Sequence, residues 1–336
     1  MKVFEIRDIF GIDNLVLAER TQPTPGHGQI LVKVRAVSLN YRDLIVVKGL
    51  YNPKLPLPLI PFSDGAGDVV AVGNGVSRVK VGDRVAAIFM QTWLGGELTE
   101  SKARSALGGA IDGMLAEYVV LHEDGVVHIP GHLSYEEAAT LPCAAVTAWH
   151  AVIEMGLKLG ESVLVLGTGG VSLFALQFAR LAGAKVIVTS GSDEKLTRAR
   201  QLGAECCINY KKVTEWYQRV REFTGGTGVD LVVEVGGAGT LTQSLKAVRT
   251  GGRISLIGVL TGTAGEINPL PIIMKKIRVE GIFVGSREIF ESMNRAISLH
   301  QLHPVLDRIF SFEETGQALQ HMESGTHFGK ICIRIA

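Results

Sequence analysis

Gly167-Thr168-Gly169-Gly170-Val171-Ser172 follows the apolar run 162–166 and opens a helical pattern. Residues of this type at this spacing bind phosphate. Glycine lets the backbone bend tightly and approach a pyrophosphate with no Cβ in the way, and free N–H groups at the next helix start receive the negative charge. Ser172 stands where G-x-G-x-x-G has its third glycine and is small enough for close helix–strand packing. Gly167, Thr168, Gly169, Gly170 and Val171 are therefore candidate contacts to a dinucleotide.

The residues that follow bear on which dinucleotide. A site for NAD ends its second strand with an acid that holds the ribose 2′-OH. Here that end reads Thr189-Ser190-Gly191-Ser192, with Lys195 and Arg198 beyond and Tyr210 closing the third strand. Hydroxyls and cations suit a 2′-phosphate, whose oxygens accept charge-assisted hydrogen bonds. Ser190, Ser192, Lys195 and Tyr210 are the candidates, and NADP(H) is the expected cofactor. Lys195 and Arg198 also read as solvated helix charges, and Asp193 and Glu194 keep a ribose contact open.

These residues need a scaffold, and the chain supplies two patterns. The first 125 residues or so are β-rich: 31–36 alternates apolar and basic side chains, and Asn74-Gly75 is a hairpin turn signal. Prolines make 52–61 a loop, and the Gly-rich 92–113 stretch reads as a surface insertion. The pattern changes at Ser134 and Glu137, which have capping-box spacing. Strands at 162–166, 185–189, 206–209, 229–235 and 253–257 then alternate with helices at 171–182, 193–202, 214–223 and 240–248. Such alternation predicts a parallel, doubly wound sheet. Val171, Phe174, Ala175, Phe178 and Leu181 form the expected buried face of its first helix. A helix over 290–300 and a strand over 331–335 close the chain.

Bulk composition excludes other classes. With 46% hydrophobic and 20% charged residues, the chain of 336 residues is globular and long enough for two domains. No apolar run approaches the roughly 18 residues of a membrane span, and residues 1–7 lack a signal-peptide core. A net charge of +1 with no long basic run argues against nucleic acid. Cys143, Cys206, Cys207 and Cys332 show neither metal nor disulfide spacing. A cytoplasmic protein acting on a small molecule is expected.

With Gly82-Asp83-Arg84-Val85, Ala138-Ala139-Thr140-Leu141-Pro142-Cys143, Thr147-Ala148-Trp149, Val235-Gly236-Gly237, Leu256-Ile257-Gly258 and Phe328-Gly329-Lys330 in this order, the chain resembles the medium-chain dehydrogenase/reductase superfamily over essentially its whole length. The resemblance implies an α/β protein with a GroES-like β-barrel catalytic domain and a doubly wound, parallel-sheet Rossmann domain. The catalytic domain would span 1–144 and be completed by 288–336, and the NADP(H)-binding domain would span 145–287. Cofactor and substrate would meet in the cleft between them.

Zinc members of this superfamily use a Cys near residue 40, the His of Gly-His-Glu, and a second Cys or Asp. The matching positions here are Asn40, the segment Phe62-Ser63-Asp64, and Cys143. One thiolate cannot make the four-coordinate site zinc prefers, so no metal is expected, and the zinc-free quinone and enoyl reductase branch is the nearer resemblance. Reducing a quinone or conjugated enone needs only hydrogen-bond donors for the developing oxyanion. On the loops the family places at the cleft, Asn40, Tyr41, Arg42 and Tyr51 are donors, Asn40 foremost, with Asp43 organising backbone or Arg42. By the same resemblance Thr147, Val235, Gly236, Ile257, Gly258, Val284, Gly285 and Ser286 lie at the nicotinamide, and Lys330 on the cofactor phosphate side. A homodimer joined through strand 277–284 is expected by analogy. An alcohol or aldehyde dehydrogenase, or a cofactor-binding protein with little turnover, are the alternatives.

Overall fold

The period-two alternation around residues 31–36 grows into the ten-residue strand Gln29–Ser38, which organises the first half of the molecule. The computed structural model describes residues 1–262 and 264–335. It divides into two compact units, residues 1–146 with 284–336, and residues 147–283. In the first unit Gln29–Ser38 pairs antiparallel with Asp64–Val72, Tyr118–His122 and Lys330–Arg334. Arg84–Ala87 and Val126–His128 extend one side of the sheet, and Leu306–Ser311 the other. Its core holds Ile30, Val32, Val34, Val37, Leu39 and Phe62, with Phe4 edge-on to Phe312 at 5.0 Å. This is the GroES-like barrel, and it takes a strand from each end of the chain.

Strand Leu306–Ser311, parallel to Lys330–Arg334, and helix Thr315–Glu323 lie where no element was expected. The 92–113 stretch is not a surface insertion throughout. Trp93 and Leu107 are buried, and Gly108 packs so closely on Phe62 that a Cβ would lie 2.6 Å from its backbone. Gly108 and Gly113, whose Cβ atoms would both meet the Phe62 backbone, allow that approach.

In the second unit six strands pair in parallel, in the order Cys206–Asn209, Lys185–Ser190, Ser162–Leu166, Val229–Glu234, Val248–Leu256, Arg278–Gly281. Numbered along the chain this is 3-2-1-4-5-6, the doubly wound Rossmann order. The order reverses beside Ser162–Leu166, so the crevice at that strand's carboxyl end is the place such a sheet binds its ligand. Helix Gly170–Leu181 buries Leu173, Phe174, Ala175, Leu176 and Phe178, while Leu181 is largely exposed. Phe174, Ala175 and Phe178 are buried as expected, and Trp149 meets Phe178 edge-on at 5.2 Å. The edge strand is Arg278–Gly281, shorter than the expected 277–284. Among the described residues no helix is long and apolar enough to cross a membrane.

Candidate active site

Asn40 ends the central strand's path and caps helix Tyr41–Val47, whose N-terminus Asp43 ties down. Asp43 Oδ2 accepts from the Asn40 backbone N–H at 2.7 Å, and Oδ1 from the Ser63 N–H at 3.3 Å. Asp43 thereby joins two loops 20 residues apart in sequence. Phe62 precedes Ser63 with φ at 71°, a left-handed value that is rare for a bulky residue. It occupies the place of the glycine in the family's Gly-His-Glu segment. The turn aims Ser63 and Asp64 into the interior, where both are fully buried.

Ser63 Oγ donates to Asp64 Oδ1 at 2.7 Å, and the Cys143 N–H donates to Asp64 Oδ2 at 3.1 Å. Cys143 reaches Asp64 from a wide, π-type turn over Leu141–Ala145. Pro142 lacks the N–H that an α-helical ladder would use there. Asn40 Nδ2 faces Ser63 Oγ at 3.5 Å, and Asn40 Oδ1 accepts from Lys330 Nζ at 2.6 Å. Lys330 Nζ also donates to Leu39 O at 2.6 Å. The sequence expectation placed Lys330 on the cofactor phosphate side. Its ammonium is buried in the first unit and donates to these two acceptors.

Arg42 donates to Leu107 O at 2.9 Å, lies 3.9 Å from Asp43, and sits over the rings of Tyr51 and Phe89 at 5.0 and 4.8 Å. Its Nε is buried with no hydrogen-bond partner among the described residues. Tyr51 and Tyr41 are both more than 40% exposed, so Tyr51 serves as a lid over the guanidinium, while Tyr41 faces outward. Two buried carboxylates, Asp43 and Asp64, are balanced by two cations, Arg42 and Lys330. Burial pushes Asp43 up to about 6, against the pull of Arg42. Burial likewise raises Asp64, against Lys330. The Cys143 thiol is driven far above its ordinary range by burial and by the neighbouring Asp64 charge.

The second unit assembles the nucleotide residues. Gly167 has φ at 76°, Gly169 has open space where a Cβ would stand, and helix Gly170–Leu181 starts without a side-chain cap. Its first-turn N–H groups have no partner within the helix, so the turn fits a pyrophosphate. Ser172 Oγ donates to Leu166 O at 2.7 Å and closes helix on strand. Thr168 is buried beside the turn. Ser190 Oγ accepts from the Ser192 N–H, and Ser192 Oγ from the Lys195 N–H. A hydroxyl that accepts keeps its own proton to donate. Asp193 is held by Asn209 Nδ2 at 2.8 Å and Lys212 Nζ at 2.6 Å, which keep its carboxyl below its ordinary range. Tyr210 Oη and Lys211 Cε lie 2.9 and 3.0 Å from where a Gly191 Cβ would be. Lys211 was not singled out in the sequence.

Loops 235–236 and 257–258 come together, since a Cβ on Gly258 would lie 2.4 Å from Val235 O. What holds the first of them is the Glu234 side chain, also unforeseen, while its backbone carbonyl accepts from the Ile257 N–H at 2.8 Å. Its buried carboxylate accepts from the Gly236 and Gly237 N–H groups at 2.8 and 3.1 Å, from Thr240 Oγ1 at 2.6 Å, and from Ser244 Oγ. A strand reading gives no reason to expect a buried acid there, and only the four donors do. Thr147, also buried, begins this unit. Val284, Gly285 and Ser286 belong to the first unit instead, where Ser286 caps helix Arg287–His300.

Sequence and structure comparisons converge. Residues 26–131 match the alcohol dehydrogenase GroES-like domain, and residues 170–299 the zinc-binding dehydrogenase domain. A zinc-type alcohol dehydrogenase-like protein of Schizosaccharomyces pombe is 45% identical, covering 98% of this chain and 97% of its own. Human quinone oxidoreductase is 30% identical over 90% of this chain and 88% of its own. The crystal structure of an NAD-dependent alcohol dehydrogenase superposes with a TM-score of 0.92 at 34% identity, over the full length of both chains.

Proposed function

The chain belongs to the medium-chain dehydrogenase/reductase family, and from that premise we propose that it is an NADP(H)-dependent reductase of quinones or α,β-unsaturated carbonyl compounds that works without zinc. The observation that carries this reading is the set of residues at the family's zinc positions. The Asn40 amide oxygen accepts from an ammonium, Ser63 Oγ donates to Asp64, and Cys143 is the one thiol among the three positions. Zinc needs deprotonated thiolate, imidazole or carboxylate ligands. An ammonium 2.6 Å from the first ligand atom would repel a dication. This donor set does not fit the metal.

Bound NADPH supplies a hydride to the electrophilic carbon of the acceptor. The chain's own task is to hold the acceptor and receive the charge that moves to its carbonyl oxygen. Asn40 Nδ2 has two N–H bonds, which face Ser63 Oγ and the Asp64 carboxylate, and would turn one of them to that oxygen. Tyr51, exposed beside Arg42, is the candidate for delivering a proton. Gly167–Val171 would hold the pyrophosphate, and Ser190, Ser192, Lys195 and Tyr210 the 2′-phosphate.

The deciding experiment follows nicotinamide absorbance with NADPH and NADH over a panel of quinones and enones, before and after chelator treatment. NADPH-dependent reduction that survives chelation is expected, and Asn40→Ala should lower kcat by about 10²-fold, the cost of one oxyanion donor. Alcohol oxidation that depends on added zinc would overturn the proposal.

A homodimer is part of the same reading. Strand Arg278–Gly281 pairs on one side only among the described strands, and Leu270, Ile273 and Met274 just before it are exposed. An unpaired edge beside apolar surface favours edge-to-edge pairing with a second copy. Light scattering at micromolar concentration should give twice the chain mass, and a monomer would count against it.

A further inference from the structure

We propose that Lys330 is a positioning residue whose buried ammonium orients and polarises the Asn40 amide, so that the charge zinc-binding relatives draw from a metal comes here from a lysine. The inference rests on the reading of Asn40 as the donor to the acceptor's oxygen.

An ammonium carries three donors and no acceptor. The Asn40 atom 2.6 Å from Lys330 Nζ is therefore the oxygen, and Nδ2 must point the other way, towards Ser63. Ser63 uses its own proton on Asp64 Oδ1, so its oxygen can only accept from Nδ2. Every bond in the chain Lys330, Asn40, Ser63, Asp64 then runs in one direction. Bonds so aligned polarise one another, and a positive charge on the amide oxygen strengthens the N–H donors at the other end.

Lys330 is held for this. Gly329 before it has φ at 91°, and a Cβ there would lie 2.3 Å from Val305 O, while the Lys330 N–H donates to the same oxygen at 3.0 Å. The strand that follows is paired on both sides. Only 3% of Lys330 is exposed, and burying an ammonium is costly unless it is paired and hydrogen-bonded. The buried carboxylates of Asp64 and Asp43 supply the counter-charge.

The test uses Lys330→Met, which keeps length and removes charge, with Asn40→Ala, Asn40→Asp and the double variants. Lys330→Met is expected to lower kcat by roughly 10- to 100-fold, less than the full cost of losing an oxyanion donor, with the Kd for NADPH unchanged. In the Asn40→Ala background it should lower kcat no further. If instead kcat stays within twofold, or the Kd for NADPH rises tenfold, the inference is wrong. A second arm needs no turnover. Asn40→Asp should lower the melting temperature by several degrees less with Lys330 present than in the Lys330→Met background, because the ammonium pairs the new carboxylate. Equal losses in both backgrounds would mean that Lys330 does not face the amide oxygen. Should no acceptor be reduced by the wild type, the function proposed above fails, and this thermal cycle still decides whether Lys330 orients residue 40.

Discussion

Asp43→Ala lowers the melting temperature by on the order of 10 °C at neutral pH, taking about 3–5 kcal/mol for a broken buried charge pair and about 2–4 °C per kcal/mol in larger chains. The side chain is fully buried, accepts from the Asn40 and Ser63 N–H groups, and faces Arg42. Removing it strands two buried donors and leaves Arg42 and Lys330 with one carboxylate between them, so the proposed reductase activity should be lost as well. Asp43→Asn does not rescue, because an amide offers one acceptor where the site needs two. The pH dependence has a definite sign. The folded carboxyl titrates at about 6 against an ordinary 3.8, so the folded state takes up its proton first as pH falls. The titration of Asp43 therefore adds stability on going from about pH 6 to about pH 4, and changes it little further above pH 6. The melting-temperature gap between wild type and Asp43→Ala should widen between pH 7 and pH 5. A gap that narrows on acidification would refute the assignment.

Gly191→Asp turns cofactor preference from NADPH to NADH. Charge-assisted hydrogen bonds contribute about 1.5–3 kcal/mol each, so one or two at the 2′-phosphate should favour NADPH by roughly ten- to several-hundred-fold in the wild type, if the proposed cofactor is right. A carboxylate at position 191 would repel that phosphate and accept from the ribose 2′-OH instead. The backbone tolerates the change, since Gly191 does not need a left-handed φ. The atoms a Cβ would meet are the tip of the Tyr210 ring and Lys211 Cε, ends of side chains that can swing away. The native acid nearby, Asp193, is turned to Asn209 and Lys212, one on each oxygen. Lys195→Ala should raise the KM for NADPH and scarcely touch that for NADH. Steady-state kinetics with both cofactors settles the matter, and equal use of NADH by the wild type would defeat it.

Local physics was legible in the chain. Strand Ser162–Leu166, strand Cys206–Asn209 and the Ser134–Glu137 capping box stand where their residues put them. An apolar run bounded by glycine, or a serine three residues before a glutamate, acts on its near neighbours alone. The doubly wound order followed from strand–helix alternation for the same reason. The candidate cluster was half legible. Asn40 and Asp43 are three residues apart and could be read together, but Lys330 meets Asn40 across 290 residues. Nothing near Lys330 in sequence distinguishes an ammonium that binds phosphate in solvent from one buried against an amide. Glu234 is similar, for its four donors lie within ten residues, yet only the fold of the 235–240 turn aims them at one carboxylate. Chemical type and local shape are properties of the sequence. Which buried charge faces which polar group is decided by the tertiary structure, because burial removes the water that would otherwise satisfy each alone.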